Sequence, residues 1–152
     1  ALSEHPSLTL ETCELEEEKP SITLETLKAL KQKHPNNTYI YLMGEDVFAG
    51  IDAWDDWTEL IQYSHIVLIN RHNPTHQQKT PKAWQPKLTA DIEDLHKKTH
   101  GHVLQLSIPP YILSSSNIRS GLKAKQNRWL EEVPESVKRY ILKHHLYKAQ
   151  LT

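Results

Sequence analysis

The sequence predicts an α/β protein built on an open parallel sheet flanked by helices. Short, continuous apolar runs occur at 38–43 (Thr-Tyr-Ile-Tyr-Leu-Met), 65–70 (His-Ile-Val-Leu-Ile-Asn) and 102–107 (His-Val-Leu-Gln-Leu-Ser). Continuous rather than alternating apolarity belongs to strands buried on both faces, the condition of a parallel sheet. Helical patterns separate the runs, which gives the alternation of strand and helix typical of βαβ units.

The elements follow in order. Residues 8–15 alternate and are compatible with a short strand. Glu16-Glu17-Glu18-Lys19 reads as a solvated turn. Pro20-Ser21 opens a helix carrying Leu24, Leu27 and Leu30, which stops at the breaker His34-Pro35-Asn36-Asn37. After the strand at 38–43 and Gly44-Glu45-Asp46, one helical pattern runs through Phe48, Ile51, Trp54, Leu60 and Ile61. Its acidic residues fall mostly on the wet side.

The strand at 65–70 ends at Arg71. Residues 72–86, rich in Pro, His and Gln, read as a polar loop with no core-forming pattern. A helix is predicted over 87–99, then the strand at 102–107. Ser114-Ser115-Ser116 leads into a helix through Ile118 and Leu122. A last helix is predicted over 134–147, with Val137, Tyr140, Ile141 and His144 on one face and Pro134 near its first turn.

The length of 152 residues suits a single domain, 1–152. Hydrophobic residues make up 38% and charged residues 24%, as in an ordinary globular protein. Apolar runs are far too short for a membrane helix of roughly 20 residues. The net charge of −1 provides no basic field for nucleic acid. The single cysteine, Cys13, has no internal disulfide partner, which fits a cytoplasmic setting. A small-molecule substrate is the expected partner, and a homo-oligomeric state stands open.

In open parallel sheets ligands bind beyond the carboxyl ends of the strands. Three clusters fall there: Gly44-Glu45-Asp46, Arg71, and the serines with Arg119. The serines at 114–116 precede a helix, where hydroxyls cap free amides. The same amides and the helix dipole also make an anion site. Arg119 sits in the first turn, the wrong end for a cation unless an anion neutralises it. A plain cap with a solvated arginine is the alternative.

Gly44 allows close backbone approach and Asp46 offers an acceptor for ribose hydroxyls; a turn glycine with a capping aspartate is the alternative. Trp54 and Trp57, three apart, are either core residues or a face for a heteroaromatic ring. The ten histidines include His72/His76 and His96/His100 four apart, but no carboxylate or cysteine completes a convincing ligand set, so no metal site is predicted.

Taken in order, these segments resemble the nicotinate-nucleotide adenylyltransferases. Pro20-Ser21-Ile22-Thr23-Leu24-Glu25-Thr26-Leu27 is similar to that family's Pro/Ser-x-Thr-x-x-Thr-Leu helix start. Met43-Gly44-Glu45-Asp46 followed by Trp54 and Trp57 resembles its Gly-x-Asp element and tryptophan-bearing helix. Val67-Leu68-Ile69-Asn70-Arg71 resembles its strand ending in arginine. Leu113-Ser114-Ser115-Ser116-Asn117-Ile118-Arg119 resembles its Ile-Ser-x-Thr-x-Ile-Arg signature. Val133-Pro134-Glu135-Ser136-Val137 with Tyr140-Ile141 and His145-Leu146-Tyr147 resembles its C-terminal helix. Each motif alone is weak; the ordered set is specific.

The resemblance implies a Rossmann-like sheet and transfer of the adenylyl group from ATP to nicotinate mononucleotide, giving deamido-NAD and pyrophosphate, with Mg²⁺ accompanying ATP. It implies ATP contacts at Gly44, Asp46, Ser114, Ser116 and Arg119. It implies mononucleotide contacts at Thr23, Trp54 and Arg71.

Two departures are local: His72-Asn73-Pro74 follows Arg71 where Pro-Gly is usual, and Ser116 replaces threonine. A third is larger. The family's opening strand and its Gly-Gly-Thr-Phe-Asp-Pro-x-His-x-Gly-His loop, with the catalytic histidines, match nothing here. The expectation is therefore that this segment is the C-terminal portion of the domain, lacks the first strand and the catalytic histidines, and is inactive alone. Its functional form is expected to include residues upstream of Ala1. Two alternatives stay open: a catalytically incomplete nucleotide-binding relative, or an adenylyltransferase acting on nicotinamide mononucleotide or pantetheine phosphate.

Overall fold

The computed structural model describes residues 2, 5–15, 22–70, 80–109 and 113–148. They fall into two compact units, Thr12–Pro110 and Ala1–Glu11 with Tyr111–Thr152. Each is described by itself.

The larger unit holds a sheet of four parallel strands: β1 (Ile40–Gly44), β2 (His65–Asn70), β3 (Leu88–Thr89) and β4 (Val103–Ser107), in the order β1-β2-β4-β3. The three apolar runs of the sequence are its three longer strands. Ile40 lies opposite His65 and Gly44 opposite Ile69; Ile66 lies opposite Val103 and Asn70 opposite Ser107. This register brings the carboxyl ends of β1, β2 and β4 to one edge.

Successive side chains of a strand point to opposite faces, and β2 shows the result. Ile66 and Leu68 join a core with Leu24 and Leu27 of α1 (Thr23–Lys33), Met43, Phe48, Ile51, Leu60, Ile61, Trp84 and Val103. Val67 and Ile69 join Leu104 and Leu95 on the other face. Leu95 belongs to α4 (Asp94–Lys97), and Leu60 and Ile61 to α3 (Leu60–Tyr63).

β1 is an edge strand and departs from the expectation of burial on both faces. Tyr41 and Met43 pack inward, but Ile40 and Leu42, on the other face, are 47% and 61% exposed.

Several other expectations are corrected. Residues 8–15 form no strand; Cys13–Leu15 is a 3₁₀ turn. The helix placed over 87–99 is only the single turn of α4, preceded by the short strand β3. Pro-containing Gln85–Lys87 is a 3₁₀ turn, and the extended Leu88 ends it. The single helical pattern through 48–61 is broken. α2 (Glu45–Phe48) is followed by 3₁₀ turns at Ile51–Ala53 and Trp57–Glu59, and then by α3. Gly50 and a run of aspartates favour turns over helix here, and Asp56 adopts a left-handed conformation with φ 50°.

At the amino ends of the strands lies a buried histidine. His65 Nε2–H donates to the Lys98 carbonyl (2.9 Å), and Nδ1 accepts from the His102 amide (3.1 Å). The His102 ring stacks on it at 5.4 Å. Burial holds the His65 pKa below the ordinary imidazole value, and the neighbouring His102 and His100 add to this.

The smaller unit contains α5 (Ser115–Lys123), a 3₁₀ helix at Asn127–Glu132 and α6 (Glu135–Lys143). Its core is Leu122, Leu130 and Ile141, with Ile118, Trp129, Val137, Leu142 and Leu146 packed around it. α5 is followed by Lys125 at φ 59° and a hydrogen bond donated by the Gln126 amide to the Gly121 carbonyl (2.9 Å), a left-handed cap.

The final helix is shorter than the predicted 134–147. It stops at Lys143, and His145 and Tyr147 have positive φ. Tyr140 and His144 do not share the buried face; both are exposed, and their rings meet at 4.3 Å with their planes tilted by 40°.

Candidate functional site

The larger unit carries the strand tips. Gly44 is the last residue of β1 rather than a turn residue after it, opposite Ile69 near the end of β2. The chain then turns at once into α2, which bears Asp46 with its carboxylate exposed. Beside this tip, the Ile108 amide donates to the Asn70 carbonyl (3.0 Å), extending the pairing of β2 and β4 beyond Ser107.

Trp54 and Trp57 do not lie on one helix, as the sequence predicts. Trp54 is the extended residue that closes the Ile51–Ala53 turn, and Trp57 starts the next one. Both are half-buried and pack against the main core. Thr23 is the first residue of α1 and half-buried, and its neighbour Leu24 is in the core. Arg71 lies outside the described residues.

The smaller unit carries the serine cluster. Ser114 is the N-cap of α5, as the sequence predicts: its backbone is extended and its Oγ accepts from the Asn117 amide (3.1 Å). Arg119 donates to Ser116 Oγ at 3.3 Å, a long contact between exposed side chains. Nothing acidic pairs with Arg119 among the described residues. The plain-cap reading therefore accounts for Ser114, and Arg119, the fifth residue of α5, lies beyond the first turn in which the sequence places it.

One core residue escaped the sequence reading. Trp84, inside the stretch taken as a polar loop, is 1% exposed. It stacks on Phe48 (6.2 Å, 21°) and meets Trp57 edge-on (5.1 Å, 68°). A lone tryptophan in a polar segment was the available signal.

No family model matches the chain. Its similarity to individual proteins is extensive. It is 33% identical over 152 residues to a probable nicotinate-nucleotide adenylyltransferase of Aeromonas salmonicida, covering 98% of this chain and 70% of that protein. It is 33% identical to a protein of the same description from Psychromonas ingrahamii, covering 97% and 70%.

This chain belongs to the nicotinate-nucleotide adenylyltransferase family.

The family is one of nucleotidyltransferases, enzymes of NAD biosynthesis. Among solved structures, the Plasmodium falciparum nicotinic acid mononucleotide adenylyltransferase complexed with APC matches with a TM-score of 0.59. Identity is 23%, and the match covers 89% of this chain and 62% of that one. The same enzyme complexed with NaAD gives 0.58. These likenesses show the fold, a Rossmann-like α/β sheet flanked by helices. Among the described residues no helix is long and apolar enough to cross a membrane.

Proposed function

We propose that the chain grips the two nucleotides in the transfer of the adenylyl group from ATP to nicotinate mononucleotide. In this reaction a phosphate oxygen of the mononucleotide bonds to the α-phosphorus of ATP. The bond from that phosphorus to the bridging oxygen breaks, pyrophosphate leaves, and deamido-NAD results. No enzyme nucleophile is needed, so catalysis rests on alignment and on neutralising charge.

The observation that carries the reading is the tip of β1. A glycine without a side chain, an exposed aspartate two residues on, and a half-buried indole ten residues on follow one another at the ligand-binding edge of a parallel sheet.

In this reading Gly44 lets the nucleotide approach and Asp46 accepts from the adenosine ribose hydroxyls. Trp54 stacks on the pyridine ring and Thr23 contacts the same mononucleotide, with Arg71 on its side. Ser114, Ser116 and Arg119 take the ATP phosphates at the start of α5. Mg²⁺ enters with ATP, held mainly by phosphate oxygens as is usual for this ion. Among the described residues no cluster of three His, Cys, Asp or Glu side chains forms a protein cage for it.

Acceptor competition tests the proposal. Pyrophosphate release and the adenylylated product of each acceptor are followed with nicotinate mononucleotide, nicotinamide mononucleotide or pantetheine phosphate. The assay uses this chain and any longer form read from upstream of Ala1. Preference for the nicotinate acceptor is expected, with Trp54→Ala raising its KM about tenfold through loss of stacking. Preference for the amide acceptor overturns the substrate assignment. Failure of either nucleotide to bind, read by calorimetry, overturns the site.

A further inference from the structure

Residues 45–59, which carry Asp46 and Trp54, have little backbone support of their own. Their bonds are short-range: Gly50 to Val47 (3.2 Å), Ala53 to Gly50 (3.1 Å), Trp54 to Ile51 (3.0 Å), Trp57 to Trp54 (3.4 Å) and Glu59 to Asp56 (2.8 Å). Such 3₁₀ bonds do not fix a segment over several turns. Side chains must do so.

Trp84 reaches this segment from elsewhere in the chain. Its own turn is tied to β4: Gln105 donates to Thr80 Oγ1 (2.8 Å), Gln85 donates to the Thr80 carbonyl (3.1 Å), and the Trp84 amide bonds to Pro81 (2.9 Å). From that anchor the indole touches Phe48, two residues after Asp46, and Trp57, three residues after Trp54. Its Nε1–H is buried and finds no hydrogen-bond partner among the described residues. An unpaired buried donor is unfavourable, so the indole contributes here through its rings.

We infer that Trp84 is a positioning residue: by clasping Phe48 and Trp57 it fixes Asp46 and Trp54 against the bound nucleotides. The inference rests on the roles proposed above for those two residues.

The test compares Trp84→Leu with Trp84→Phe, both well below their melting temperatures. Hydrogen exchange reads the segment and calorimetry reads the ligands. In Trp84→Leu, amides of 45–59 lose protection while β2 and β4 keep theirs, and affinity for nicotinate mononucleotide falls about tenfold. Trp84→Phe keeps a ring in place and stays within about threefold of the parent. Phe48→Leu and Trp57→Leu remove one contact each and serve if Trp84→Leu does not fold. The first is expected to weaken ATP more, the second the mononucleotide more.

Unchanged protection and affinity in folded Trp84→Leu overturn the inference. So does equal weakening of both ligands by both single-contact variants, which is the mark of a merely structural role. If the parent chain binds neither nucleotide, the proposed site falls and the inference with it. If the parent binds and only the variants fail to differ, the inference alone falls.

Discussion

The two compact units differ in depth. The larger buries side chains from α1, β1, β2, β4 and the Trp84 turn in one continuous core, which backs the inner face of β1 through Tyr41 and Met43. The smaller has a core of three buried residues, Leu122, Leu130 and Ile141, with half-buried neighbours around it. Gly44, Asp46 and Trp54 belong to the deep scaffold, and Ser114, Ser116 and Arg119 to the shallow one. A precise contact needs rigid support, so the geometry of α5 should be more easily disturbed by single changes than that of the β1 tip.

The largest expected effect tests the deep core. Ile66→Ala removes a fully buried side chain from a central strand and leaves a cavity among packed neighbours. A loss of about 4 kcal/mol is expected, measured by urea denaturation. A loss below about 1 kcal/mol would mean that this core relaxes as readily as a surface cluster, and the contrast between the units would fail.

His65→Ala comes next. It leaves the His102 amide and the Lys98 carbonyl without their buried partner, at a cost of about 2–3 kcal/mol. The intact residue also makes stability depend on pH. Its folded pKa lies below the unfolded value of 6.5, so below that pH the unfolded chain binds more protons. The contribution is whole above pH 6.5 and is lost as pH falls through 6.5 toward the folded value. Denaturation midpoints measured across that range should fall more steeply for the parent than for His65→Ala. Parallel profiles would show that the ring is protonated without penalty in the folded state.

Gly121→Ala probes the shallow unit. A Cβ at this position would overlap the Trp129 indole. Alanine gains about 1 kcal/mol of helix propensity over glycine, and overpacking costs about 1–3 kcal/mol. The net expectation is a loss of about 1 kcal/mol, with exchange protection falling across 115–123. A gain in melting temperature would show that the indole swings aside freely.

What the sequence revealed divides along physical lines. Strands at 65–70 and 102–107 and the cap at Ser114 were legible because their signals are local: continuous apolarity, or a hydroxyl before a helix. The segment at 48–61 was misread as one helix because its apolar spacing fits a period of 3.6. Gly50 and Asp56 break the backbone while leaving that spacing intact. Trp84 was missed for the opposite reason. Its burial depends on Phe48 and Trp57, distant in sequence, and no local period announces it. β1 read as buried because its composition is apolar, yet among the described strands it pairs only with β2, which leaves Ile40 and Leu42 exposed.

The smallest expected effect bears most directly on the phosphate end of the proposed site. Ser114→Ala deletes the oxygen that accepts from the Asn117 amide, a cap worth about 1 kcal/mol. If the serine is only a cap, Ser114→Asp restores the hydrogen bond and adds a favourable charge at the helix start, and nothing else changes. If this end also grips phosphate, the new carboxylate repels the ligand. Ser114→Asp should then regain stability while losing affinity for ATP, and Ser114→Ala should lose some of both. Thermal melts and ATP titrations of the same two proteins separate the cases, because a plain cap changes stability alone, whereas an anion site loses ATP affinity even where Ser114→Asp restores stability.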